Sequence, residues 1–410
     1  MIMSTKNPIK AAELEISNGI GSYAFAEGYE KCRILVRFQE NPIGWIALSK
    51  GVDSVMSTEE LERQILLQLG WSVIETGMKD FLHRNETPSR HEGVSIVVCT
   101  RNRTLQLKQC LESLLKLNYP SYEIIVVDNA PSNDDTHQLV KTFPVRYVRE
   151  ECPGLDWARN RGIKEASYNI IAFTDDDVCV DSFWLHAINN GFLHREVMAV
   201  TGYVAPAELE TEAQQLFELK YGGMGHGFNR SFLRKESLAE RQLLWASGFG
   251  IGANMAFRRE VFEQAGMFDV AFDVGTPSHG GGDVEFFHRL LTHGHLLLYE
   301  PSMLVWHFHR RKKAALRRQI TDNGRSFGCY LINCFSHRTV KRKSVVTFFL
   351  IDWLLRWNLR NFFSPRSRFP RSLVLAELMG MIISPIAYMQ TKSKAKKQIS
   401  YYDRTRKKIE

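Results

Sequence analysis

The chain has 410 residues, of which 44% are hydrophobic and 24% are charged. These proportions exclude a disordered or fibrous chain, and the length suits one large domain with appendages or several ordinary domains. The formal net charge of +8 is unevenly spread, because residues 310–410 hold 24 Lys and Arg against 5 Asp and Glu, whereas residues 1–309 hold 29 against 40. The sequence therefore predicts an acidic body followed by a basic C-terminal segment.

The seven cysteines are scattered and include no CxxC pair. An odd number without regular spacing favours reduced thiols in a cytosolic protein over a disulfide framework or a zinc site. The first residues lack a basic segment followed by an apolar run, so we expect no secretory signal. We also expect no membrane span, because the most apolar candidate, residues 372–389, is interrupted by Glu377, Gly380 and Pro385.

The first predicted elements lie within residues 29–79, where short apolar runs flank QENPIG and lead into STEELERQILLQLGW. This pattern predicts a β-hairpin followed by a helix that is capped by Ser57 or Thr58. We expect residues 1–92 to form a small α+β accessory module that ends in a polar linker.

From Val94 the sequence alternates strand and helix patterns: VSIVVCT, TLQLKQCLESLLKL, YEIIVVDNA, DDTHQLVKTF, VRYVRE, LDWARNRGIKEA and YNIIAFTDDD. Repeated β-α-β units with continuously apolar strands predict an α/β domain over residues 93–312, with a Rossmann-like, mostly parallel sheet flanked by helices. Ligands of such sheets bind beyond the carboxyl ends of the strands. Polar residues stand at three of these ends: Thr100-Arg101-Asn102, Asp128-Asn129 and Asp175-Asp176-Asp177.

The three consecutive carboxylates at the end of YNIIAFTDDD raise one another's pKa and cost free energy unless a positive charge lies among them. They are either a solvated acidic turn or part of a cation site. No GxGxxG follows the first strand and no GxxxxGK[ST] occurs in the chain, which argues against a dinucleotide oxidoreductase and a P-loop NTPase.

Six segments, in series over residues 94–310, carry a resemblance to a known family: VSIVVCTRNR, YEIIVVDNA, GLDWARNRGIKEA, AFTDDDV, GIGANMAFRREVFEQAGMFD and GGGDVEFFHRL. Their order and spacing resemble glycosyltransferase family 2. The resemblance implies a GT-A fold and transfer of a hexose-type sugar (EC 2.4) from a nucleotide-diphosphate sugar, expected to be a UDP-sugar, to an acceptor hydroxyl. The acceptor is a glycan, a lipid-linked glycan or another hydroxyl compound.

Asp175 and Asp177 occupy the positions of the family's DxD motif, which implies dependence on a divalent metal. Carboxylate oxygens suit Mn²⁺ or Mg²⁺, and such a cation stabilises a departing diphosphate. We expect Asp177 to be the main ligand, with Asp175 beside the metal or the ribose. His307, in LVWHFHRR, is expected to contact the metal or the diphosphate as well, and a structural pair with His309 is its alternative.

The resemblance also implies donor contacts at the strand ends and in the helix LDWARNRGIKEA. The residues assigned to donor binding are Thr100, Arg101, Asn102, Asp128, Asp156, Arg159, Asn160, Asp175 and Asp176. Asp128 is expected to accept a hydrogen bond from a base edge such as a uracil imide, although Asp-Asn after a strand is also an ordinary turn signal. For arginines close together on one helix, solvated surface charges are the alternative.

Asp283, in GGGDVEFFHRL, is the candidate base that deprotonates the acceptor hydroxyl, which implies inversion by direct displacement. A helix N-cap is its alternative role, and a retaining double displacement stays open. We also place Trp245, Gly282 and Glu285 on the acceptor side. Gly282 stands where the family commonly has Glu, so one carboxylate is missing there.

Residues 313–410 are expected to form a basic helical tail. Asp352, Arg356 and Arg360 recur at i, i+4 in VVTFFLIDWLLRWNLRNFF, which predicts an interfacial amphipathic helix. Since each basic residue near an anionic leaflet contributes about 1 kcal/mol, we expect a cytoplasmic protein held at the inner face of the cell membrane. A helical pair packed on the catalytic domain is the alternative, and nucleic acid is not an expected partner.

The sequence thus predicts a metal-dependent glycosyltransferase of the kind used in polysaccharide biosynthesis. Two other functions stay open. One is a nucleotidyltransferase on a similar sheet, and the other is a catalytically silent carbohydrate- or lipid-binding protein.

Overall fold

The computed structural model describes residues 7–83, 91–364 and 369–406. Within them the N-terminal module contains the strands β1 (Ile9–Glu15), β2 (Tyr23–Ala24), β3 (Lys31–Phe38), β4 (Asn41–Ser49) and β5 (Val55–Met56) and the helix α1 (Thr58–His83). The expected hairpin is formed by β3 and β4, and β1 adds to β3 in parallel. Ser57 caps α1 as predicted, since its Oγ accepts a hydrogen bond from the Glu60 backbone N–H at 3.3 Å.

The first half of the central domain follows the predicted order: β6 (Val94–Thr100), α2 (Thr104–Leu114), β7 (Tyr122–Asn129), α3 (Asp135–Val140), β8 (Arg146–Glu150), α4 (Leu155–Glu165) and β9 (Ile170–Asp175). β6 lies between β7 and β9, and β7 pairs with β8, all in parallel. Their apolar side chains are buried because helices cover the sheet. The carboxyl ends of these strands, with their polar residues, therefore lie at one edge.

The second half adds β10 (Val178–Val180), α5 (Trp184–Phe192), β11 (Val197–Pro206), α6 (Glu212–Leu216), β12 (Ser231–Leu233), α7 (Glu240–Leu244), β13 (Asn254–Arg258), α8 (Glu260–Gln264), α9 (Gly282–Thr292) and β14 (Leu296–His307). The strand order is β10-β14-β11-β13-β9-β6-β7-β8, with β12 on β14. In this sheet β10, β12 and β13 run against the other strands. The predicted mostly parallel α/β sheet flanked by helices is confirmed.

Short helical turns complete the central domain. Phe217–Tyr221 is π-helical, and Lys235–Ser237 and Ala246–Gly248 are 3₁₀ turns.

The C-terminal segment, which we define as residues 313–402, contains α10 (Lys313–His337), α11 (Arg342–Thr347), a π-helical stretch Phe348–Leu359, α12 (Arg360–Phe363) and the start of α13 (Arg371–Arg406). Tyr330, Phe348 and Trp353 share one buried apolar cluster with Phe257 and Phe286 of the central domain. This packing is the alternative named for the predicted tail. The division of the chain at residues 93 and 312 stays a prediction.

Glu377, Gly380 and Pro385 interrupt the apolar sequence but not the helix, because all three lie inside α13. Gly380 serves close packing, since a Cβ there would lie 2.0 Å from the Thr321 carbonyl oxygen of α10. By length and composition α13 could cross a membrane, but 39% of its most apolar window is buried against the rest of the chain. A buried core helix meets the same criteria.

Candidate functional site

A cavity of about 560 Å³ opens beside the carboxyl end of β9. Its walls come from the start of α4, the loop before β13, the glycine-rich turn before α9 and the C-terminal segment. Among its lining residues are six that the sequence assigned to the site: Asp156, Arg159, Asp175, Trp245, Gly282 and Asp283. Residues 127 positions apart in the chain are thereby brought together in one cavity.

The carboxylates after β9 are buried and paired with nearby donors. Asp176 accepts hydrogen bonds from the Thr100 hydroxyl at 2.7 Å and from Arg103 at 2.5 Å. Arg103 also donates to Asp177 at 2.6 Å. Burial raises the pKa of Asp176 to about 7, against the opposing effect of Arg103. The cluster is therefore not a solvated acidic turn.

Two arginines and a histidine surround Asp177. Its Oδ1 is 3.4 Å from Nε2 of His307, and its Oδ2 is 3.6 Å from the Arg310 guanidinium. Burial alone would raise the pKa of Asp177, but the hydrogen bond and charge of His307 and the charge of Arg103 outweigh it and lower that pKa. Burial and the neighbouring Asp177 raise the pKa of Asp175.

The cluster offers donors of the kind that a hard divalent cation binds, namely the carboxylates of Asp175 and Asp177 and the imidazole of His307. Over residues 7–83, 91–364 and 369–406, no group of three or more His, Cys, Asp or Glu side chains is arranged around a common metal position. Arg103 instead takes up one oxygen of Asp177. The donor chemistry fits a metal, and a cation would compete with this guanidinium for Asp177.

Asp128 and Asn129, at the end of β7, have different environments. The Asn129 amide donates to the Cys152 carbonyl and accepts from the Gly154 N–H, both at 2.7 Å, so it builds the turn. Asp128 is fully buried and accepts from the Tyr147 hydroxyl at 3.0 Å. Its Oδ1 has no hydrogen-bond partner among the described residues, and burial raises its pKa. An acceptor is therefore available at this strand end.

Nine residues assigned to the site do not line the cavity: besides Thr100, Asp128, Asp176, Asp177 and His307, these are Arg101, Asn102, Asn160 and Glu285. Arg101 and Asn102 are exposed, and the Asn102 side chain accepts from the Ser132 N–H at 3.1 Å. Asn160 holds both backbone groups of Phe268, at 2.9 and 3.0 Å. Glu285 pairs with Arg289 at 2.9 Å. Their predicted roles stay predictions, and the last two have clear structural ones.

Asp283 lies at the start of α9, where its Oδ2 accepts from the Gly252 N–H at 2.8 Å and its Oδ1 from the Val284 N–H at 2.9 Å. The absence of a side chain at Gly282 has a steric reason, because a Cβ there would lie 1.9 Å from Oδ2 of Asp156. The Asp156 carboxyl thus occupies the space beside the candidate base.

Asp156 itself is 1% exposed. Its Oδ1 accepts from Arg159 at 3.0 Å, whereas its Oδ2 has no partner among the described residues. Burial raises its pKa well above the usual range, only partly offset by the charge of Arg159. Asp273 fixes this helix end by accepting from the backbone N–H groups of Leu155 and Asp156, at 2.5 and 2.8 Å.

Sequence reasoning missed several residues of the site. Arg103 follows the strand end by three positions, and its place in TRNR is the one signal that could have suggested it. Tyr221, Trp357 and Glu377 also line the cavity, but Tyr221 belongs to the π-helical turn Phe217–Tyr221 and the other two to the predicted tail. Trp245, which the sequence did place here, stands with them, its ring centroid 6.3 Å from that of Trp357.

One family model and several known proteins match the central part of the chain. Residues 95–266 match the profile described as Glycosyl transferase family 2. Hyaluronan synthase from Pasteurella multocida is 27% identical over 245 residues, which cover 53% of this chain and 25% of that protein. Glycosyltransferase AglE from Haloferax volcanii is 26% identical over 275 residues, which cover 64% of this chain and 80% of that protein. The chain thus spans about a quarter of the first relative.

Among solved structures, a mannosyltransferase from Pyrobaculum calidifontis in complex with GDP-Man and Mn²⁺ overlaps 76% of this chain and 94% of its own, at 13% identity and a TM-score of 0.49.

Proposed function

We propose, from the premise that this chain belongs to glycosyltransferase family 2 through residues 95–266, that it transfers a sugar from a nucleotide-diphosphate sugar to an acceptor hydroxyl. The observation that carries the proposal is that Asp175, at the end of β9, and Asp283, at the start of α9, line one cavity. One carboxylate serves the donor and the other the acceptor. This division of labour needs no nucleophile from the enzyme.

On the donor side, the open oxygen of buried Asp128 is suited to an N–H of the base, which favours a uracil imide and hence a UDP-sugar. Arg103 and Arg310, now paired with Asp177, supply positive charge for the diphosphate. Asp175, Asp177 and His307 would hold a divalent cation, and that cation when bound offsets the charge that develops on the leaving diphosphate.

On the acceptor side, Asp283 takes the proton of the attacking hydroxyl. The Gly252 N–H holds Oδ2 of Asp283 at 2.8 Å and so fixes the orientation of the carboxylate. The hydroxyl oxygen attacks the anomeric carbon as the bond to the diphosphate breaks, and the configuration inverts in this single displacement.

Release of nucleoside diphosphate from a panel of nucleotide sugars, with Mn²⁺ or EDTA, tests this function. Asp177→Asn and Asp283→Asn should each reduce release by about a hundredfold or more, with circular dichroism unchanged. Asp53→Asn, at an exposed position outside the cavity, is the matched control. Turnover like that of the unmodified protein in either site variant would refute the assignment. Pyrophosphate release would indicate a nucleotidyltransferase, and binding without turnover a silent carbohydrate-binding protein.

We also propose that α13 holds the protein at the inner face of the cell membrane. Five apolar side chains on α13 are 53–70% exposed: Leu375, Met379, Ile382, Ile386 and Met389. Their spacing puts them on neighbouring turns of one helix side, and Lys-rich sequence follows them. Flotation with anionic liposomes should be lost in Ile382→Asp and kept in Leu105→Asp, which alters an exposed leucine of α2. Equal flotation of the two variants would disprove the membrane role.

A further inference from the structure

One part of the cavity, which we call the aromatic end, is lined by aromatic side chains. Trp245, Trp357 and Tyr221 line it and pack edge to face, with ring centroids 6.3 Å apart for the two tryptophans and 5.7 Å for Tyr221 and Trp357. Both tryptophans are only partly buried. Aromatic surface thus stays available to a ligand in the cavity that also contains Asp283.

Two π-helical segments supply much of this aromatic end. Phe217–Tyr221 contributes Phe217 and Tyr221, and Phe348–Leu359 contributes Trp353 and Trp357. π-Helical turns are rare and are often found at functional sites, because the wider turn changes which side chains share a helix face. Each segment places two aromatic residues four positions apart on the cavity wall.

Glu377 of α13 joins these two segments. Its carboxyl accepts hydrogen bonds from the Tyr221 hydroxyl at 3.0 Å and from Trp357 Nε1 at 3.1 Å. The residue is 5% exposed and lines the cavity. A buried carboxyl is costly unless it is well bonded, so this one fixes the positions of both rings.

The charges of the lining residues limit the chemical class of ligand that the cavity can bind. Of the described residues that line the cavity, Arg159 is the one arginine or lysine, and it pairs with Asp156 near the acid cluster. Glu377 and the uncharged polar side chains of Gln319, Asn323 and Ser326 also line the cavity. Such a lining suits a neutral polyhydroxyl ring and disfavours a carboxylate or phosphate.

We propose that this aromatic end is a subsite for an uncharged sugar ring of the acceptor, with Trp245 and Trp357 in contact with the ring and Glu377 as a positioning residue. The inference rests on the proposed function and names its acceptor class as a carbohydrate. The C-terminal segment, which lies outside the matched residues 95–266, thereby selects the acceptor.

Saturation-transfer NMR on the full chain tests the proposal with three probes: methyl β-glucopyranoside, N-acetylglucosamine and glucuronic acid. The two neutral sugars should bind, and glucuronic acid should bind at least about fivefold more weakly. Trp357→Ala should weaken neutral-sugar binding by about tenfold. Trp71→Ala, at an 85% exposed tryptophan of α1, is the matched control and should bind like the unmodified protein.

Trp357→Phe keeps an aromatic ring and should keep most of the binding, which separates loss of the ring from misfolding. Equal binding by the unmodified protein and Trp357→Ala, or glucuronic acid bound as tightly as the neutral sugars, would overturn the subsite.

A second measurement separates positioning by Glu377 from general support of the fold. Glu377→Ala should weaken neutral-sugar binding about fivefold or more while UDP with Mn²⁺ still binds as before, and Glu377→Gln should recover part of the loss. Equal weakening of sugar and UDP binding would show that Glu377 supports the fold as a whole and does not specifically position the two rings. If UDP fails to bind the unmodified protein while neutral sugars bind, the donor assignment fails and the subsite stands.

Discussion

The N-terminal module and the C-terminal segment were both expected as appendages of the central domain, yet they contact it in different ways. The module docks through a small apolar cluster of Leu35 with Ala205 and Leu304. Polar contacts add to it, among them a buried Arg37–Asp181 ion pair at 2.6 Å and a hydrogen bond from Trp45 to the Tyr203 hydroxyl at 2.8 Å. The C-terminal segment enters the main apolar cluster and supplies a cavity wall. The N-terminal module therefore packs on the outside of the central domain, whereas the C-terminal segment is part of its core and of its cavity.

The largest effect should come from Trp353→Ala in the C-terminal segment. Trp353 is 2% exposed and belongs to the main apolar cluster, so we expect a loss of about 3–5 kcal/mol in the free energy of unfolding. Urea denaturation measures it. The exposed Trp71→Ala should change stability by less than about 0.5 kcal/mol. A loss as small for Trp353→Ala would mean that the segment is an appendage after all.

Next in size is Arg37→Ala, which tests the polar docking of the N-terminal module. It leaves the buried Asp181 carboxylate without its main partner, and we expect a loss of about 3 kcal/mol. The double variant Arg37→Met with Asp181→Leu should recover much of this loss, since it removes both charges. If the double variant is no more stable than Arg37→Ala, the module is not held by this pair. Urea denaturation of the unmodified protein, Arg37→Ala and the double variant measures the differences in the free energy of unfolding.

A smaller, pH-dependent effect should come from Glu377. Burial raises its pKa to about 7 from an ordinary value of 4.5. Between these pH values the native state holds a proton that the unfolded chain has released, so this group makes stability fall as pH rises from 4.5 to 7. Glu377→Gln should remove up to about 3 kcal/mol of that fall. Denaturation of both proteins at pH 4.5, 6 and 8 measures the difference, and parallel curves would contradict the assignment.

The smallest effect should come from Arg33→Ala in the N-terminal module. Arg33 lies 3.1 Å from Glu218, which in turn is 3.3 Å from His309, and His309 is 3.0 Å from His307. Because Arg33 is partly exposed, we expect a loss of about 1 kcal/mol or less. Donor affinity should also change by no more than a few fold. A loss of donor binding as severe as that in Asp177→Asn would give the module a direct role at the site.

The sequence predicted the parallel half of the sheet because β6, β7 and β9 are continuous apolar runs whose polar ends share one edge. It did not predict how β13 and β10 run against their neighbours, since strand direction depends on long-range pairing. The acid cluster and Asp283 lie within the family motifs, and the sequence analysis therefore assigned both to one site. Asp156 lies against Gly282 across 126 positions, and no local pattern signals such a contact.

The aromatic end was beyond sequence reasoning for a specific reason. The i, i+4 row of Asp352, Arg356 and Arg360 was interpreted as the polar stripe of a membrane helix, but the stretch Phe348–Leu359 is π-helical and packs on the central domain. Asp352 keeps its i, i+4 contact with Arg356 at 3.0 Å, and its Oδ2 also accepts from the Nε of Arg241 in the central domain at 2.6 Å. Glu377 looked like a break in an apolar stretch, because its two partners lie 156 and 20 positions away.

The cavity wall formed by the C-terminal segment also affects the order of events during synthesis. Translation delivers residues 95–312 before residues 313–402, so the acid cluster and Asp283 leave the ribosome ahead of Trp357 and Glu377. Until the later residues arrive, Phe257 and Phe286 lack the packing partners Tyr330 and Trp353. The nascent chain therefore carries Asp175 and Asp283 before the residues that complete the cavity wall, and under the proposed function the arrival of the C-terminal segment is the step that completes the site.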